Sequence, residues 1–285
     1  MVAIKSWPIF TFLYITAVIQ STHCKDINKH FVFITASYNN ATWYERSLCS
    51  VFDQDYTDWS MIYIDDCSTD GTGELVDAYI EERGMTDKVY VMHNTERMGH
   101  CYNQFHVIRS CPDDAIIVIL DGDDWLMHNG VLTMLNEVYQ DEVWITYGQF
   151  WYFKRNVKGC SRQIPDEIIE KNAIRKHPSW ITSHMRTFYA GLYKKIKPED
   201  FMYEGDFLPM SVDAAAMFPM IEMAGWHSRF ISEIIYMYND SNTQSFFHQK
   251  AEKQKEILNM LRSYAPYEPL IVPPYVLDNS QEPVN

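Results

Sequence analysis

Cysteine pairs of the C-x-x-C kind are missing from this 285-residue chain, although it holds Cys24, Cys49, Cys67, Cys101, Cys111 and Cys160. That absence argues against a structural zinc site. Positive charge is scarce as well: 24 Lys and Arg stand against 38 Asp and Glu, a formal net charge of −14. A field of that sign repels phosphate backbones and argues against a nucleic-acid partner. It still admits a nucleotide where a metal ion reverses the local sign. The chain has no internal repeat and no low-complexity tract, and no apolar run beyond residue 24 is long enough to cross a bilayer.

What is present is core. Hydrophobic residues make up 47% of the chain, enough for one large domain or two small ones. The apolar run IFTFLYITAVI at 9–19, with Lys5 before it and Gln20-Ser21-Thr22 after it, reads as a signal peptide or short targeting segment over 1–24. It has no A-x-A cleavage site, so a short membrane-associating helix is the alternative. A cleaved segment implies the secretory pathway or periplasm; an uncleaved one implies a cytoplasmic or membrane-associated protein. Cys101 and Cys111 are a candidate disulfide, and the remaining cysteines read as buried thiols.

Short apolar runs alternate with helical stretches from residue 31 onward. Strands are predicted over 31–37, 61–64, 89–92, 115–120 and 143–147. Helices are predicted from an N-cap at Thr42 to 52, over 74–83 closed by Gly84, over 99–110 and over 129–139. Beyond 150 the signal weakens. Residues 154–162 read as a basic mobile loop, 210–224 as a buried helix broken near Pro219, 231–238 as a strand, 249–264 as a helix, and the Pro-rich end from 266 as an extended tail. Strands alternating with helices predict an α/β fold: a Rossmann-like, open, mostly parallel sheet with helices on both faces. Ligands of such sheets bind beyond the carboxyl ends of the strands. Asp65-Asp66 ends the second strand and Asp121-Gly122-Asp123-Asp124 the fourth, so both clusters are expected at one crevice. Carboxylates crowded in that way suit Mg²⁺ or Mn²⁺ shared with a substrate diphosphate. The plain alternative is a solvated acidic turn capping a helix.

Four segments, in order, resemble the family 2 glycosyltransferases of GT-A fold: ITASYNN at 34–40, SVFDQDYTDWSMIYIDDCSTDGT at 50–72, NTERMGHCYN at 94–103 and LDGDDWL at 120–126. The resemblance runs from about 31 to 239. It implies a single domain with a nucleotide-sugar-binding half over 30–150 and an acceptor-binding, catalytic half over 151–265, followed by the tail at 266–285. It further implies inverting transfer from a nucleotide-sugar, a UDP-sugar first, to a hydroxyl of a glycan, lipid or protein, with Mn²⁺ or Mg²⁺ as cofactor. Ala36, Ser37 and Tyr38 fall where the family contacts the base, and Asp66, with Asp65 beside it, where a carboxylate accepts from the uracil N–H. Arg97 and Gly99 match the segment near the diphosphate. Asp121, with Gly122 after it, is expected at the ribose or metal. Asp123 is expected as principal metal ligand, with Asp124 as the alternative.

In the second half, the resemblance makes Asp213 the candidate general base, with Asp206 and Glu204 competing. The stretch 177–192 reads as an acceptor or diphosphate loop carrying Trp180, His184 and Arg186. His248 is a candidate further metal ligand. Two other functions remain to be weighed. A nucleotidyltransferase on this architecture wants a glycine-rich basic loop after its first strand, and ITASYNN has neither glycine nor lysine. A non-catalytic glycan-binding protein would be expected to have lost the acidic cluster, which is intact here.

Overall fold

The computed structural model describes residues 28–242 and 251–276. The targeting segment at 1–24, Cys24, His248 and the last residues of the tail lie outside them. The first half runs β1 (Phe31–Ser37), α1 (Tyr44–Phe52), β2 (Trp59–Asp65), α2 (Thr72–Glu82), β3 (Val89–His93), α3 (His100–Ser110) and β4 (Ile116–Ile119). It continues through β5 (Trp125–Leu126), α4 (Val131–Val138), β6 (Ile145–Tyr152), β7 (Val157–Lys158) and α5 (Asp166–Glu170). Then come β8 (Arg186–Tyr189), α6 (Ala190–Lys194), β9 (Met202–Tyr203), β10 (Asp206–Phe207), α7 (Val212–Ala224), β11 (Ser228–Tyr238) and α8 (Ala251–Ser263).

One sheet runs in the order β3-β2-β1-β4-β8-β6-β11-β5, with β7 on the edge of β6. Pairing is parallel from β3 to β4 and between β6 and β11. Strand β8 is antiparallel to both β4 and β6, so β6 regains the direction of β4. Six strands therefore point one way, which makes the sheet open and mostly parallel with helices around it. All four residues of β4 are buried, as a central strand covered on both faces requires. The chain leaves β1 towards β2 on one side and returns to β4 on the other. The end of β1 beside β4 is thus the topological switch point, where a crevice opens.

Several expectations change. Helix α1 starts at Tyr44 with Trp43 at its N-cap and no side-chain cap, so Thr42 plays no such part. Helix α7 is unbroken through Pro219. Every residue of it except Asp213 is buried, and packing on all sides outweighs the one backbone bond that proline removes. The basic loop at 154–162 contains β7, paired back on β6, and its tip is tied down because Lys154 N and Arg155 Nε donate to Asp240 at 2.6 and 2.7 Å. The expected loop at 177–192 holds strand β8 and helix α6. The tail, extended as expected, packs down as far as residue 276: Leu270 N donates to Met223 O at 2.8 Å and Tyr275 lies 4.4 Å from Tyr189. Cys101 and Cys111 are free thiols at opposite ends of α3, about 15 Å of helix apart and far beyond disulfide reach.

Candidate active site

The crevice is assembled from strand ends. At the end of β1, Ser37 O accepts from Asp66 N at 2.8 Å, and the Ser37 hydroxyl accepts from Asn40 Nδ2 at 2.9 Å. Asn39 turns with a positive φ of 54° and accepts from Thr69 N, joining the loops after β1 and β2. Ala36 lies half-buried beside Ile64, and Tyr38 presents its ring to the Arg97 guanidinium at 3.8 Å.

The two carboxylates closing β2 fare differently. Asp66 accepts from Asn94 Nδ2 at 2.8 Å and from the N–H groups of Met98 and Gly99 at 2.9 Å. Burial pushes its pKa up, but the Asn103 and Asn94 amides and those two N–H groups more than offset this, leaving it below the ordinary value. Its acceptor capacity is thus engaged in anchoring the 94–99 segment that carries Arg97. Asp65 has a buried oxygen, Oδ1, with no hydrogen-bond partner among the described residues.

The acidic turn follows β4 directly. Leu120 N donates to Ile34 O, and Asp124 N closes the turn on Asp121 O at 3.0 Å. Gly122 presses against β1: a Cβ there would sit 2.7 Å from Ser37 Oγ and 2.9 Å from Asn40 Nδ2. The Tyr236 hydroxyl donates to Asp124 Oδ2 at 2.7 Å and Asn239 N donates to Oδ1 at 2.7 Å, stapling the turn to the end of β11. Asp123 accepts from Asn242 Nδ2 at 2.8 Å. The buried Asp121 Oδ1 has no hydrogen-bond partner among the described residues.

Electrostatics separates the three. Burial and then the Asp121 charge push Asp123 up to about 6, against the Asn242 bond. Burial, then Asp123 and Asp121, drive Asp124 well above the carboxylate range. Burial acts the same way on Asp121, but His100, His184 and Arg186 outweigh it and hold its carboxyl low.

His184 and Arg186 arrive here because β8 inserts beside β4, with Arg186 paired to Ile119, the last residue of β4. The His184 ring stacks on Tyr236 at 4.7 Å, and burial followed by the Arg186 charge depresses it to about 3, so the imidazole is neutral. Ligand atoms of Asp121, Asp124 and His184 all lie within 4.8 Å of one another. Arg186, itself buried, puts one terminal nitrogen 3.3 Å from His184 Nδ1 and the other 3.6 Å from Asp213 Oδ2. Asp213, in the first turn of α7, is 36% exposed and also accepts from Ala214 N. A polar row therefore leads from the acidic turn through His184 and Arg186 to Asp213.

Other expected residues are seen in local contacts of their own. Asp206 is exposed on the two-stranded β9–β10 hairpin, where its carboxylate caps Phe207 N. Glu204 sits in that hairpin's turn, 3.9 Å from Lys253. Trp180 packs edge-on against Phe218 of α7 at 5.7 Å, as part of the core. Tyr236, Asn239 and Asn242 were not anticipated. For Asn239 and Asn242 the sign in the sequence is the polar run 239–242 after the apolar end of β11; for Tyr236 there is none.

A neutral imidazole beside three carboxylates, two of them raised by burial and by the Asp121 charge and the third, Asp121, with an orphaned buried oxygen, is a donor set suited to a divalent cation.

Residues 32–212 match the protein family known as glycosyl transferase family 2. The "Putative teichuronic acid biosynthesis glycosyltransferase TuaG" of Bacillus subtilis is 32% identical over 91 residues, 32% of this chain and 34% of TuaG. The glycosyltransferase GlyG of Streptococcus pneumoniae is 23% identical over 171 residues, 58% of this chain and 55% of GlyG. The chain thus spans between a third and little more than half the length of these relatives. Among solved structures, S. aureus TarS 1–349 in complex with UDP-GlcNAc superposes with a TM-score of 0.59 at 15% identity, over 81% of this chain and 65% of TarS. The mannosyltransferase PcManGT of Pyrobaculum calidifontis, in complex with GDP-Man and Mn²⁺, gives 0.51 at 18% identity, over 74% and 57%. These likenesses identify the fold as GT-A.

Proposed function

The chain belongs to glycosyl transferase family 2, and on that premise we propose that it moves a sugar from a UDP-sugar to a hydroxyl acceptor, inverting the anomeric centre, with a divalent cation at the acidic turn. One observation carries the metal reading: the orphaned Asp121 Oδ1 in a cluster with Asp124 and His184 at the switch point. Asp121 and His184 would hold the cation, joined by Asp123 or by Asp124 once it gives up a β11 bond. Mn²⁺ or Mg²⁺ would neutralise charge on the departing diphosphate.

The chain's own residues do the rest. Tyr38 and Arg97 offer a stacked flat surface to a base. Asp65 Oδ1 is the unengaged acceptor for a base N–H, since Asp66 is engaged by Asn94, Met98 and Gly99; this moves the base-reading role from Asp66 to its neighbour. Asp213 takes the proton from the acceptor hydroxyl as that oxygen attacks the anomeric carbon and the bond to the diphosphate oxygen breaks. Its link through Arg186 to the acidic turn favours it over Asp206, whose exposed carboxylate caps Phe207 N. Arg186 holds Asp213 in line and adds positive charge beside the leaving group.

The test is incubation with Mn²⁺ and a panel of nucleotide-sugars, measuring free nucleoside diphosphate against pyrophosphate. Release of UDP that stops when Asp123→Asn is introduced is the expected result. Release of pyrophosphate would instead mean nucleotidyl transfer.

A further inference from the structure

A second concavity lies at the other end of the sheet. It encloses about 200 Å³ and is lined by Tyr147, Gln163, Asp166, Trp226, Arg229 and Phe230 among others. Tyr147 stands early in β6 and pairs with Phe230 near the start of β11. These strands run in the direction of β4, so their first residues lie opposite the end that carries Asp121 to Asp124.

The wall is held rigidly. Helix α7 ends at Ala224, Gly225 caps it with a positive φ of 52°, and Trp226 follows with 63% of its surface exposed. The next residue, His227, is pinned: its ring stacks on Trp144 at 3.9 Å and its Nδ1 lies 2.8 Å from Glu142 O. The Tyr147 hydroxyl accepts from Ile164 N at 2.9 Å, and its ring lies 5.5 Å from Phe230. An indole exposed beside the pinned His227 offers a flat apolar face.

The polar groups narrow the ligand. Asp166 and Arg229 have opposite charges, so the lining is close to neutral and has no preference for an anion; the chain's overall −14 adds repulsion against one. Gln163, Asp166 and Arg229, the last also 3.9 Å from Asp141, together offer hydrogen-bond donors and acceptors. The volume falls below the roughly 300–1,000 Å³ of pockets that enclose a whole drug-sized ligand. A neutral ring with one apolar face and hydroxyls around its edge meets all three conditions.

We infer that this pocket is an accessory carbohydrate site that seats one pyranose unit of an oligosaccharide on Trp226, remote from the transfer site. The transfer reading bears only on why a glycan is at hand. Such a site retains a long acceptor between turnovers by raising its effective concentration at the crevice.

The test uses the full chain. Neutral hexaoses of glucose, N-acetylglucosamine, mannose and galactose are titrated in turn by calorimetry, with and without UDP and Mn²⁺. At least one should bind saturably in both conditions. Trp226→Ala should weaken it tenfold or more with an unchanged thermal midpoint, while Trp226→Phe stays within a few-fold of wild type. The inference is overturned if no hexaose binds, if binding survives Trp226→Ala, or if UDP with Mn²⁺ displaces the glycan. Hexaose binding by a protein that releases no nucleoside diphosphate would support the pocket and count against the transfer reading alone.

Discussion

The carboxyl of Asp124 accepts from Tyr236 and from the Asn239 N–H, whereas the Oδ1 of Asp121, three residues earlier, is buried with no hydrogen-bond partner among the described residues. Identical side chains in one turn thus differ in which oxygens have hydrogen-bond partners, and for Asp124 the partners come from β11 and the residue just beyond it. The same holds for Asp66, which accepts from three donors, and Asp65, whose buried Oδ1 has no hydrogen-bond partner among the described residues. Sequence similarity marks both members of such pairs alike. At this scale the sharpest prediction concerns Asp213. Asp213→Asn keeps the size and the contact to Ala214 N but removes the basic oxygen. It should lower kcat by about 10²–10⁴-fold, the usual worth of a general base, and leave the dissociation constant for UDP with Mn²⁺ within a few-fold. Steady-state kinetics beside calorimetry checks this; near-normal kcat would move the role to Asp206.

The elements matter through how closely they meet. The acidic turn after β4 packs onto the end of β1 so tightly that Gly122 has no room for a methyl group against Ser37 Cβ at 2.8 Å. Gly122→Ala should therefore cost about 1–3 kcal/mol by overpacking and raise the donor KM more than it lowers kcat, because the turn is pushed off the crevice. Adding Ser37→Gly should recover most of the lost stability; denaturant titration of the three variants decides. Local pattern revealed the strands that end in these turns, since apolar runs of four to seven residues closed by Asp and Gly need no distant partner to be recognised. It did not reveal β8. Residues Arg186–Tyr189 form only four buried positions, and they are a strand because β4 and β6 flank them, an arrangement with no trace in their own order. Pro219 misled for the same reason, its helix being secured by surroundings and not by propensity.

For the molecule as a whole, the acidic cluster links stability to pH and to metal. Without metal, the folded Asp123 titrates near 6 against an ordinary 3.8, so the folded state binds more protons than the unfolded one between these values. Its contribution to stability is therefore greatest at low pH and is lost as pH rises from about 4 through 6, by up to about 1.4 kcal/mol per pH unit. Thermal unfolding in chelator should show Asp123→Asn gaining on the wild type across that window. Mn²⁺ should reverse the order above pH 6, stabilising the wild type by about 2.7 kcal/mol at a hundredfold excess over its dissociation constant. A wild type indifferent to Mn²⁺ at pH 7 would rule out the cation site.

The sequence by itself determined that carboxylates cap the second and fourth strands and that those strands share a sheet, because hydrophobic period and turn chemistry are local properties. Tertiary structure alone decided that His184 and Arg186 join them, that Asp213 meets Arg186, and which carboxylate oxygens are left without a hydrogen-bond partner. Each of those outcomes depends on a contact between residues far apart in the chain, from Ile119 with Arg186 to Asp124 with Tyr236. Such contacts form only when β8 and β11 close against β4 and its acidic turn.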